Sequence, residues 1–97
     1  MKLTLHQLRI LRVVAEEGSI AAAARRLHLT SPTLSIQLGQ MADQLGLPLY
    51  GVEKRKLRLT EAGRDVLDAA RRIDEELRGL EQRIAARHGI ERGRLSV

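Results

Sequence analysis

The fold is decided by residues 19–45, which read SIAAAARRLHLTSPTLSIQLGQMADQL. Ser19 is a good helix cap, and the alanine-rich run behind it favours a short helix that ends near Leu27. Residues 28–30 form a three-residue break. A second helix opens after the break, because Pro32 is preorganised for a first helical turn. The stretch therefore predicts two helices joined by a short turn.

The second of these helices has an inner and an outer face. Its large apolar residues recur at spacings of four, three and four, which places them on one face. These inward residues are Leu34, Leu38, Met41 and Leu45. The opposite face is uncharged near the start of the helix and carries Pro32, Ile36, Gly39 and Asp43. Gly46 ends the helix, and Pro48 prevents its continuation.

Further elements flank this pair on both sides. Thr4 and Gln7 form the pattern of a capping box, which predicts a helix that continues to a stop at Gly18. After Pro48 the pattern changes to two short runs with strand-like alternation, residues 49–50 and 57–59, separated by a basic stretch. These runs predict a small β-hairpin.

A long helix follows and is predicted from Thr60 to Arg87, with Gly89 ending it. It carries a heptad seam of alternating four- and three-residue spacings. The seam consists of Val66, Ala70, Ile73, Leu77, Leu80 and Ile84. A helix of this length spans about 42 Å and cannot bury its seam on so small a domain. We therefore expect the helix of a second copy to cover the seam, giving a homodimer.

Composition excludes several classes of protein. The 97 residues suffice for one small domain, and the absence of cysteine excludes disulfides and thiolate metal sites. The three histidines lack metal-binding spacing, and no glycine-rich phosphate loop is present, so we expect no cofactor, no metal and no enzyme. A single aromatic residue, Tyr50, offers no stacking platform for single-stranded nucleic acid. No apolar run has the length of a membrane span or signal peptide, so the expected compartment is the cytoplasm.

The predicted fold is mainly α, a winged helix-turn-helix followed by a long dimerisation helix. In that fold the second helix of the pair enters the major groove of double-stranded DNA, and the hairpin, or wing, meets the backbone or the minor groove. The net charge of +5 suits a polyanionic partner. One alternative is a coiled-coil dimerisation module whose basic patches are incidental, and such a module would ignore DNA.

Residues 5–63 resemble the DNA-binding domain of LysR-type transcriptional regulators. The matching stretches are Gln7-Leu8-Arg9, Val14-Ala15-Glu16-Glu17-Gly18-Ser19, Ala22-Ala23-Ala24-Arg25-Arg26-Leu27-His28-Leu29-Thr30, Pro32, Ser35, Leu45-Gly46-Leu47-Pro48-Leu49-Tyr50 and Leu57-Arg58-Leu59-Thr60-Glu61-Ala62-Gly63. The resemblance implies a DNA-binding domain over residues 1–59, a linker helix over 60–87, and a hinge over 88–97 that leads into an effector-binding domain. Tetramers are then expected only for a longer protein that includes that domain.

The end of the chain resembles one subgroup of this family more closely. Residues 89–95, GIERGRL, together with Pro32 and Thr33, are similar to the regulators of Calvin-cycle carbon-fixation operons. The chain also departs from the family pattern. Ser31 stands where the family usually has glutamine, and Val52 stands where the wing often has an arginine near the minor groove. These departures predict an altered DNA preference.

The candidate DNA contacts fall into three sets. Thr30 and Ser31 lie at the helix start, where their hydroxyls either contact DNA or serve as caps. Pro32, Thr33 and Ile36 suit thymine methyl groups, and Ser35 matches a family contact position, although Ile36 is also explained as an ordinary exposed residue. The last set is cationic and meets either phosphate or only solvent: Arg25, Arg26, Lys54, Arg55, Lys56 and Arg58.

Overall fold

A computed structural model describes the backbone of residues 2–95 and the side chains of residues 2–89. Within that range the helices are α1 (Leu5–Glu17), α2 (Ile20–Leu27), α3 (Ser31–Leu45) and α4 (Glu61–Leu95), and the strands are β1 (Tyr50–Glu53) and β2 (Lys56–Leu59). This order confirms the predicted winged helix-turn-helix with a long last helix.

The helix ends follow from local side-chain chemistry. Thr4 Oγ1 accepts a hydrogen bond from the Gln7 backbone at 3.1 Å, and the Gln7 side chain accepts one in return from the Thr4 backbone, so the predicted capping box is present. Gly18 and Gly46 end α1 and α3 in the left-handed conformation, with φ of 75° and 73°. Both predicted stops are therefore confirmed.

The turn between α2 and α3 occupies residues 28–30, as the sequence predicts. His28 ends α2 with φ of 58°, a left-handed conformation that a non-glycine residue rarely adopts. Thr30 is the N-cap of α3. The two helices are therefore joined by a tight connection with a defined geometry.

The core lies where α1, α2 and α3 meet beneath the wing. Because the chain contains no Phe or Trp, this core is aliphatic. Its buried residues are Ile10, Leu11, Val13, Val14, Ala23, Ala24, Leu34, Leu38, Met41 and Leu49. Leu34, Leu38 and Met41 face inward as predicted, which leaves the opposite face of α3 to solvent.

The wing is an antiparallel hairpin in which Tyr50 pairs with Leu59 and Glu53 pairs with Lys56. Only two residues, Lys54 and Arg55, connect the strands, and their φ angles are 52° and 63°. Positive φ at both positions is the backbone of a type I′ turn, which normally carries asparagine and glycine. The hairpin prediction is confirmed, with a tighter turn than the predicted basic stretch between the strands.

Helix α4 is longer than predicted, because it passes through Gly89 and continues to Leu95. The predicted end at Gly89 is therefore wrong. A glycine inside a helix costs only about 1 kcal/mol relative to alanine, and no proline follows it to force a stop. The stretch expected as a hinge, residues 88–97, is helical as far as Leu95, and residues 96 and 97 lie outside the described range.

The long helix makes the molecule elongated. Its principal extents are 62 × 27 × 20 Å, and its radius of gyration is 17.4 Å. A compact domain of this length has a radius of gyration of about 13 Å. The C-terminal part of α4 therefore projects well beyond the helix-turn-helix.

Candidate nucleic-acid interface

The start of α3 is organised by Thr30. Its hydroxyl oxygen accepts a hydrogen bond from the Thr33 backbone at 3.2 Å and donates one to Thr33 Oγ1 at 2.8 Å. Capping therefore occupies the Thr30 hydroxyl, which was one of its two expected roles. Ser31 is exposed, and its hydroxyl has no hydrogen-bond partner among the described residues.

The N-terminal face of α3 is solvent-exposed and carries no charge. This face, here called the reading face, consists of Ser31, Pro32, Thr33, Ser35 and Ile36, all of them exposed. Ile36 is 62% exposed although it is a large aliphatic residue. Leu34 and Leu38 are buried on the inner side of α3 and hold the reading face in a fixed orientation.

The wing brings cations together at its tip. Lys54, Arg55 and Lys56 are exposed and form no ion pair within the described part of the chain. Arg58 lies further back, with its Nε 3.4 Å from a carboxylate oxygen of Glu53, and both side chains are 67% exposed. An ion pair so exposed holds its arginine only weakly. The wing tip therefore presents free positive charge.

The two arginines of α2 have different surroundings. Arg25 is exposed and has no ion pair among the described residues. Arg26 bridges α2 to α1, because its Nη1 lies 2.7 Å from Glu16 and 3.2 Å from Glu17. The hydrogen bond from Arg26 lowers the pKa of Glu16, and the same bond raises the pKa of Arg26. The guanidinium of Arg26 is thus engaged by two carboxylates, unlike that of Arg25.

The junction between the wing and α4 was not identified as part of the site from the sequence. The Thr60 hydroxyl donates to the Pro48 carbonyl at 2.7 Å and accepts from the Gly63 backbone at 3.0 Å. The Thr60 backbone donates to the Leu49 carbonyl at 3.0 Å. The sequence did contain one indication of this junction, because Gly63 lies in the first turn of α4 and a glycine inside a helix often has a packing reason.

The predicted dimerisation seam is covered unequally by its own chain. Ala70 is buried at 4% exposure, and Val66 packs against the core. The expectation that the domain leaves the seam unburied is therefore wrong at Ala70, because α1 packs against this part of α4. Ile73 and Leu77 are half-buried, whereas Leu80 and Ile84 are 47% and 44% exposed. The open seam is its C-terminal half.

Among the described residues, no three histidine or acidic side chains are grouped closely enough to hold a metal ion. None of the described helices combines the length and apolarity that a bilayer crossing requires.

Comparison with known proteins gives a consistent family. The model of bacterial regulatory helix-turn-helix proteins of the lysR family matches residues 5–64. The chain is 46% identical over 94 residues to the RuBisCO operon transcriptional regulator of Acidithiobacillus ferrooxidans, covering 97% of this chain and 30% of that protein. It is 44% identical over 94 residues to the transcriptional activator CmpR of Synechocystis, covering 97% of this chain and 31% of that protein.

The chain thus spans about a third of the length of these curated relatives. Their names agree with the resemblance to regulators of carbon-fixation operons. Both are transcriptional regulators rather than enzymes, which confirms the prediction that the chain is not an enzyme.

Solved structures agree with the sequence matches. A DNA complex of the CbnR DNA-binding domain is 38% identical to this chain in sequence. It superposes with a TM-score of 0.73 and covers 87% of this chain and 99% of that one. A DNA complex of the BenM DNA-binding domain is 28% identical with a TM-score of 0.78, covering 89% and 96%. The chain comprises a helix-turn-helix DNA-binding domain followed by a long helix. It therefore belongs to the lysR family of bacterial regulatory helix-turn-helix proteins.

Proposed function

We propose that this chain binds double-stranded promoter DNA sequence-specifically, with the reading face of α3 in the major groove and the wing on the backbone or in the adjacent minor groove. One observation carries the proposal: the chain presents both an exposed, uncharged helix face on α3 and unpaired, exposed cations at the wing tip. Cations supply affinity for phosphate, whereas groups that reach base edges supply specificity. Because bacterial promoter DNA lies in the cytoplasm, we also propose that the protein acts in that compartment.

The chemistry of the reading face favours T·A base pairs. Because α3 contains no Lys or Arg, it cannot make the bidentate contact from arginine to guanine. Ile36 and Pro32 suit thymine methyl groups, while Ser31 and Ser35 have hydroxyls for hydrogen bonds. So few direct contacts leave part of the specificity to DNA shape.

The experiment is a selection from random duplexes, followed by replacement of each thymine by uracil in the selected site. We expect at least one position to lose affinity when its methyl group is removed, and Ile36→Ala to abolish that sensitivity. Leu47→Ala is the matched control, since Leu47 is 56% exposed but lies beyond the C-terminal end of α3. If every methyl group is dispensable while a G·C pair is essential, this account of the reading face is wrong.

We further propose that the DNA-binding form is a homodimer through α4. The open half of the seam, Leu77, Leu80 and Ile84, supports this, because two such helices would bury each other's apolar side chains. Beside it lies an apolar groove of about 460 Å³. Apart from Asp65, the groove is lined by Leu3, Leu8, Leu45, Val66, Ala69 and Ile73. In this arrangement residues 1–59 contact DNA and α4 holds two such units together, and tetramers require the longer protein.

The names of the relatives point to a class of target. Since the relative from Acidithiobacillus ferrooxidans is a RuBisCO operon regulator, we propose a promoter of carbon-fixation genes as the target of this chain. Genomic fragments that the chain retains at about 150 mM salt should then be enriched upstream of such genes. Enrichment at unrelated promoters would remove this assignment while leaving DNA binding itself intact.

A further inference from the structure

A second concave surface lies between the wing and α4, and no residue of α3 lines it. This basic groove has a volume of about 360 Å³. Its apolar floor is formed by Leu57 and Leu59 of β2 and by Leu67 of α4. Arg58, Arg64 and Arg71 surround the floor. The groove thus combines two half-buried leucines and one buried leucine with three arginines, of which Arg58 is ion-paired with Glu53.

The arginines on the α4 side of the groove are not neutralised within the chain. Arg64 donates from Nη1 to the Leu59 carbonyl at 3.3 Å, which holds its guanidinium beside β2. Within the described part of the chain no carboxylate lies within ion-pair distance of Arg64 or Arg71, although Asp68 and Glu75 stand at helical spacings from them. A guanidinium has five donors, so both side chains keep donors free for a carboxylate or phosphate.

We propose that the basic groove binds an acidic peptide segment of another protein, with one apolar side chain on the leucine floor and carboxylates on the arginines. Arg64 and Arg71 are separated along α4 by about 10 Å, the length of about three extended residues. Two acidic residues three positions apart in an extended peptide, with an apolar residue between them, therefore match both the spacing and the chemistry. DNA phosphates would satisfy the arginines but offer nothing to the apolar floor.

The groove stays open in the proposed dimer. At about 100° per residue, Arg64, Leu67 and Arg71 point about 130° away from the seam around the axis of α4. A partner helix on the seam therefore leaves Arg64 and Arg71 exposed and the groove uncovered. No residue of the reading face lines the groove, and Arg58 is the one candidate DNA contact that does. Peptide binding is therefore tested at Arg71, which is not among the candidate DNA contacts, and this inference does not depend on the proposed function.

The test uses the 97-residue chain and a fluorescent probe peptide with the sequence Glu-Asp-Leu-Asp-Glu. We expect saturable binding that weakens about fivefold in Arg71→Gln, the effect of losing one exposed ion pair. Arg72→Gln is the matched control: it removes the same charge from a neighbouring exposed position that does not line the groove. It should change binding less than about twofold. Amide NMR shifts should move at residues 57–59 and 64–71 and not in α3.

Three results would overturn the inference. Equal losses in Arg71→Gln and Arg72→Gln would mean that the peptide senses only net charge. Equal binding of a peptide with glycine in place of leucine would mean that the apolar floor is unused. A loss of duplex affinity in Arg71→Gln, together with displacement of the peptide by duplex, would make the groove part of the DNA interface instead.

Discussion

Gly63 determines how closely α4 approaches the base of the wing. A Cβ atom at this position would collide with the Leu49 carbonyl oxygen, and it would also lie 3.3 Å from Leu59 Cβ. The colliding atom is backbone, and the Leu49 carbonyl is held by the Thr60 amide, so it has little freedom to move.

We predict that Gly63→Ala destabilises the fold by about 3 kcal/mol, the upper end of what overpacking typically costs. The free energy of unfolding in urea measures it. Gly39→Ala is the control, since no atom lies within 4 Å of its added methyl group and its position is inside a helix. That control should gain up to about 1 kcal/mol. Equal effects of the two substitutions would contradict the close approach at Gly63.

Lys54 and Arg55 combine an unfavourable backbone with a useful charge. Both have positive φ, where glycine and asparagine are favoured, and both are exposed cations at the wing tip. Strained backbone of this kind is often retained at functional sites. The two properties can be separated by substitution.

The double substitution Lys54→Asn with Arg55→Gly should stabilise the fold by about 1–2 kcal/mol, because it removes the left-handed strain. It should also weaken binding to specific and random duplexes alike. The slope of log affinity against log salt should fall by about 0.9 for each lost phosphate contact. Salt titrations and urea unfolding measure the two effects.

Lys54→Ala with Arg55→Ala provides the comparison, because it removes the charges but keeps the strain. It should lose DNA affinity without gaining stability. An unchanged salt slope in both double variants would place the wing away from the DNA.

At the scale of elements, an ion-pair cluster fixes α2 against α1. Arg26 of α2 contacts Glu16 and Glu17 at the end of α1, and Arg12 adds a 3.1 Å contact to Glu16. The hydrogen bond from Arg26 is the largest cause of the lowered pKa of Glu16. The cluster therefore makes the stability of this helix contact depend on pH.

The sign of the pH effect follows from the direction of that shift. Since the pKa of Glu16 is lower in the folded state, its contribution to stability is present above about pH 4.5 and is lost as the pH falls through the lowered value. We expect the urea midpoint to fall over this window, and to fall less in Glu16→Gln. Solvent exposure keeps the effect small.

Glu75→Gln is the matched control, because Glu75 is an exposed carboxylate of α4 with no ion pair among the described residues. It should leave the pH dependence unchanged. Identical pH profiles for Glu16→Gln and the parent chain would show that the cluster does not contribute.

The sequence predicts elements best where one residue decides the outcome locally. Thr4 and Ser19 cap their helices as expected, and Gly18 and Gly46 end theirs. Thr30 caps α3, which was one of the two alternatives that the sequence left open. The same reasoning wrongly predicted a helix end at Gly89, because a glycine only weakens a helix and no proline follows it to prevent continuation. The left-handed turn at Lys54 and Arg55 was also not predictable, since residue type argues against it.

The candidate site was predictable from the sequence only where it depends on local spacing, and not where it depends on packing between helices. Exposure of the reading face follows from helical periodicity, which a single sequence contains. The engagement of Arg26 by Glu16 depends on the packing of two helices, and the pair is ten residues apart. The burial of Ala70 by α1 depends on the same kind of long-range packing, which spacing within α4 does not reveal.

At the scale of the whole molecule, the projecting half of α4 decides assembly. Leu80 and Ile84 are large exposed aliphatic residues on a helix that its own domain does not cover. We predict that Leu80→Glu shifts the dimer dissociation constant upward at least about tenfold, or roughly 1.4 kcal/mol. Sedimentation velocity over a concentration series measures it, and operator binding should weaken in parallel.

Gln82→Glu adds the same charge on the opposite side of α4 and should leave the dimer intact. Its side chain is exposed and lies about 160° from the seam around the helix axis. If the parent chain is a monomer at tens of micromolar, the concentration expected for a weak interface, the seam does not hold the dimer.

Because the junction of Thr60 and Gly63 holds α4 near one end, a small tilt of the helix at this junction is amplified along its length. Two hydrogen bonds from Thr60 hold the start of α4 to the base of the wing, α1 packs against α4 around Ala70, and the remainder of the helix projects to Leu95. With a length of about 50 Å, a tilt of about 5° at this pivot displaces the far end by about 4 Å. A displacement imposed on the far end is correspondingly reduced to a sub-ångström adjustment at the wing. In the proposed dimer, a displacement at the far end of α4 would therefore change the spacing between the two wings by much less than its own size.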